Sequence, residues 1–80
     1  MEFAKRLEQL MKEKGITQMK LSQAIGYSQR AVSKWINEQA EPTATAIMLC
    51  ANYFDVTADY LLGIEDEFGA KKKKYFGNVK

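Results

Sequence analysis

The 80-residue chain is 46% hydrophobic and 28% charged, with a net charge of +2, the composition of one small globular domain and not of a disordered segment. One cysteine and no histidine exclude an internal disulfide, a thiolate or imidazole zinc site, and the usual Ser-His and Cys-His nucleophile pairs. No apolar run approaches the ~20 residues of a membrane span and no secretory leader opens the chain, so a cytoplasmic protein is expected.

The carboxylates are scattered and no glycine-rich phosphate loop is present, so neither an enzyme nor a bound cofactor or metal is expected. The small positive charge hides an asymmetry. Residues 1–68 carry seven Lys/Arg and ten Asp/Glu, a net −3; residues 69–80 carry five lysines and no acid, a net +5. The basic character belongs to the tail, so overall charge says nothing about nucleic-acid binding by the folded part.

In chain order, Phe3, Leu7, Leu10 and Met11 fall at i, i+4, i+7 and i+8, one stripe of a first helix over Glu2 to Lys14. Gly15 follows as its stop. Thr17 is a good N-cap for a second helix with Leu21, Ala24 and Ile25 on its inner side and Gly26 at its end. Ser28 then caps a third helix after only a Gly26-Tyr27 turn. Two short helices joined by a glycine-containing turn match a helix-turn-helix. Pro42 rules out one continuous helix from 28 to 54. Thr43 opens a fourth helix, expected to face inward through Ile47, Met48, Ala51 and Phe54. Thr57 caps a short fifth, carrying Tyr60 and Leu61 and stopped by Gly63. The expected fold is all-α, a compact five-helix bundle over 1–68, with a lysine-rich tail at 69–80. In that tail, "GAKKKKYFGNVK" reads as a solvated end, as lysines contacting phosphates, or as an apolar hook of Tyr75, Phe76 and Val79 on a partner subunit.

The third helix, "SQRAVSKWIN", is the most informative stretch. At about 100° per residue, Val32, Trp35 and Ile36 form a buried stripe, with Arg30, Ser33, Lys34 and Asn37 opposite and Gln29 on the flank. A solvent face is normally rich in Glu/Lys pairs, whereas this one has no acid before Glu38. Its side chains are those that bond base edges: arginine to guanine, glutamine or asparagine to adenine, serine to several partners. Free amides at 18–20 and 29–31, with no acid in either first turn, would favour phosphate oxygens. Lys20, Arg30 and Lys34 lie nearby.

The segments "FAKRLEQLMKEKG", "GITQMKLSQAIGYSQRAVSKWIN" and "EPTATAIMLCANYFDVTADYLLG" together resemble the Cro/repressor-type, or Xre-like, helix-turn-helix family over about residues 3–63. The resemblance implies a five-helix, lambda-repressor-like domain that binds double-stranded DNA, usually as a homodimer on a palindromic operator, and most often as a transcriptional repressor. It places Gln18 at the phosphate backbone and Ser28, Gln29, Arg30 and Ser33 at base edges or adjacent phosphates. Lys34 and Asn37 fall near the backbone. Tyr27 either touches phosphate through its hydroxyl or packs against the turn. No ligand-sensing domain accompanies these segments. Taken as a complete chain, it is therefore expected to be regulated through its expression level or a partner.

Four positions depart from the family pattern. Many members carry arginine at the position of Met11 and glutamate at that of Ile36, an ion pair between the first and third helices; an apolar Met11–Ile36 contact is expected in its place. Glu38 stands where glycine is frequent, so it must turn left-handed or the helix must end differently. Leu49 occupies a position more often polar, either a dimer contact or an ordinary exposed leucine. The rival to a DNA-binding regulator is a protein-interaction module that keeps the fold, pairing with a toxin or a larger regulator.

Overall fold

The computed structural model describes residues 2–64, and the tail at 69–80 lies outside them. These residues form five helices: α1 (Glu2–Lys14), α2 (Gln18–Ile25), α3 (Gln29–Ile36), α4 (Ala44–Phe54) and α5 (Ala58–Leu61). Four of them begin with the same device. The hydroxyls of Thr17, Ser28 and Thr43 accept from the amides of Lys20, Ala31 and Ala46 at 3.1 Å, and that of Thr57 from Tyr60 at 3.0 Å. Each satisfies a helix-terminal donor that has no partner within its own helix.

Packing follows the expected stripes. Phe3, Leu7, Leu10 and Met11 of α1, Leu21 and Ile25 of α2, and Val32 and Trp35 of α3 share one core with Phe54 and Leu61. Ile36 is half-buried against it. The Phe3 and Trp35 rings meet edge to face at 6.3 Å, joining α1 to the base of α3. The Arg6 guanidinium lies 4.4 Å from the centre of the Tyr60 ring, which clasps α1 to α5.

Two inner faces differ from expectation. In α4, Ala46 and Cys50 are fully buried beside Ala51 and Phe54, whereas Ile47 is half-buried and Met48 is 67% exposed. Ala46, Cys50, Ala51 and Phe54 form an i, i+4, i+5, i+8 stripe, and Met48 is rotated about 200° from Ala46. In α2, Ala24 is exposed and Ser22 takes an inward place. Ser22 tolerates burial because its hydroxyl donates to the Met19 carbonyl at 2.7 Å.

Candidate nucleic-acid interface

The α2–α3 corner is built from local hydrogen bonds. Gly26 takes a left-handed conformation (φ 78°), and the amides of Gly26 and Tyr27 both donate to the Ser22 carbonyl, at 2.9 and 3.1 Å. This closes α2 and lets Ser28 cap α3 two residues later. Tyr27 secures the corner. Its ring packs edge to face on Trp35 at 5.2 Å, and its hydroxyl lies 3.0 Å from the Thr43 hydroxyl at the start of α4. Of the two expected roles, the internal one is therefore visible.

Held this way, α3 turns Val32 and Trp35 inward and leaves Gln29, Arg30, Lys34 and Asn37 exposed, with Ser33 half-buried. Gln18 and Lys20 lie in the first turn of α2. The structure gathers Gln18, Gln29, Arg30, Ser33 and Lys34 round one open groove of about 420 Å³. Among the described residues, no carboxylate lines it. Lys20 is outside this group. Ser28 is exposed, and its oxygen already accepts from Ala31, so what remains is chiefly a hydroxyl donor. Asn37 also points locally: its amide donates to the Ser33 hydroxyl at 3.3 Å, which orients that hydroxyl on the groove.

Electrostatics favour an anion here despite the low charge. Neither α2 nor α3 has an acid in its first turn. The expectation of three free amides at each start is corrected to two. The third, on Lys20 and on Ala31, is taken by the cap hydroxyl, leaving those of 18–19 and 29–30 outside the helical ladder.

A further residue, Gln39, lines the same groove. Sequence reasoning missed it because its position depends on the path after α3. Glu38 does adopt the left-handed conformation (φ 58°), one of the two alternatives expected for a glutamate at a glycine position. That turn brings Gln39 back beside Lys34. Among the described residues, no helix is long and apolar enough to cross a membrane.

Residues 7–61 match the family model described as helix-turn-helix. Along its whole length, the chain is 31% identical over 80 residues to the HTH-type transcriptional activator BcrR of Enterococcus faecalis, covering 39% of that protein. It is 29% identical over 65 residues, 81% of its length, to the uncharacterized HTH-type transcriptional regulator YobD of Bacillus subtilis (strain 168), covering 58% of that protein. The chain thus spans between about two-fifths and three-fifths of the length of these relatives. No solved structure gives a significant match.

Proposed function

Because the chain belongs to the Cro/repressor-type, Xre-like helix-turn-helix family, we propose that it is a sequence-specific DNA-binding transcriptional regulator, reading a palindromic operator as a homodimer. The observation that carries this reading is the groove on α3. Amide, hydroxyl and cationic side chains of Gln18, Gln29, Arg30, Ser33 and Lys34 surround it, with no carboxylate among the described residues. Gln29, Arg30 and Ser33 read base edges in the major groove; Gln18, Lys34 and the free amides at the starts of α2 and α3 hold phosphates. Two copies place their α3 helices about one helical turn (~34 Å) apart on the duplex.

Repression follows where the operator overlaps the site of polymerase binding, and it is the sign we assign. The enterococcal relative carries the name of an activator, and an upstream operator would give this chain the same sign. The deciding experiment is selection of bound duplexes from a random pool. Enrichment of an inverted repeat supports the reading; no enrichment at low salt sinks it. In the second reading the domain pairs with another protein. It draws on the exposed Met48 and Leu49, which line a shallow apolar surface with Ala51 and Val56. A homodimer also needs such a surface, so it does not favour the rival.

A further inference from the structure

Gln39 reaches the α3 groove from the connection between α3 and α4. The main chain of residues 38–40 is tied to the end of α3 by three hydrogen bonds. The amide of Glu38 donates to the Trp35 carbonyl at 3.2 Å, and those of Gln39 and Ala40 both donate to the Lys34 carbonyl, at 2.8 and 3.3 Å. The left-handed turn at Glu38 makes this return possible. Residues 38–40 therefore move with α3, and Gln39 keeps a fixed register with Ser33 and Lys34.

The chemistry of this connection separates two uses. Gln39 shares its groove with the cations Arg30 and Lys34 and its neighbouring cavity with Glu38 and Glu41, and it carries no charge of its own with which to hold a phosphate. A carboxamide instead offers a donor and an acceptor side by side, the pair that adenine N7 and N6 require. We propose that Gln39 is a specificity-determining residue whose carboxamide reads a base pair next to the stretch read from α3. The inference rests on the DNA-reading function proposed above.

The test is selection from a random duplex pool by the full chain, in parallel for wild type, Gln39→Ala, Glu38→Val and Glu38→Gly. Gln39 is exposed, so its truncation leaves the fold intact. Gln39→Ala should lose preference at one position per half-site, by roughly five- to a hundredfold, while all other positions and the salt dependence stay unchanged. Glu38→Val places a β-branched residue where φ is positive, which that residue type resists, and should blur the same position. Glu38→Gly retains the turn and the preference. A Gln39→Ala profile identical to wild type, or a uniform loss across all positions, overturns the proposal. If wild type itself enriches no sequence, the DNA-reading premise fails and this inference goes with it, an outcome distinct from failure of Gln39 alone.

Discussion

The Tyr27 hydroxyl lies 3.0 Å from the Thr43 hydroxyl, which also accepts from the Ala46 amide at 3.1 Å. One oxygen thus caps α4 and anchors the turn that presents α3. Tyr27→Phe should cost about 0.5–1.5 kcal/mol in urea unfolding, the usual net worth of one hydrogen bond. Affinity for the selected operator should stay within about twofold of wild type. A large loss of affinity at unchanged stability would move that hydroxyl to the phosphate backbone instead.

Arg30 and Lys34 share the groove but are assigned different work. Arg30→Ala should cost about 1–3 kcal/mol on the best site and relax preference at one base pair. Lys34→Ala should weaken all sequences alike and flatten the salt dependence by about one counterion. Competition binding across a site library reads both. Matching profiles for the two variants would refute the assignment.

Met11 is buried at 7% exposure, and Ile36 is half-buried against the same core. Met11→Arg should destabilise by about 3 kcal/mol or more, because an unpaired charge enters an apolar site. Adding Ile36→Glu should recover at least about 1 kcal/mol if the two side chains meet as the family pattern implies. Strict additivity in the double-mutant cycle would show that they do not.

Cys50 is fully buried, and burial pushes its thiol up from 9.0 to about 11. The folded state therefore holds the proton more tightly than the unfolded chain. The resulting stability is complete below pH 9 and is lost as pH rises toward 11, by about 2–3 kcal/mol at most. Cys50→Ala should lack this part of the alkaline slope in thermal unfolding measured from pH 8 to 11. At neutral pH, wild-type Cys50 should resist thiol reagents unless the protein is unfolded.

Most of the helix ends were legible from the chain alone. Thr17, Ser28, Thr43 and Thr57 each cap a helix where expected, because capping is a hydrogen-bond requirement settled within three residues. The α1 stripe and the Val32–Trp35 anchor were equally readable, since polar neighbours on both sides make their period unmistakable. The inward face of α4 was not. Ala44–Phe54 contains no charged residue, so its pattern leaves the rotation open, and packing chose the small Ala46 and Cys50 over Met48.

By itself, then, the sequence determined the helices, their order, and a polar α3 face without a carboxylate, all consequences of short-range periodicity and capping. Only the tertiary structure decided which of those side chains share a groove and what else joins them. Tyr27 bonded to Thr43, sixteen residues away. Glu38 turned left-handed and carried Gln39 to Gln18 and Arg30. Such placements depend on how separate elements pack and on single backbone angles between them, and neither leaves a periodic trace in the chain.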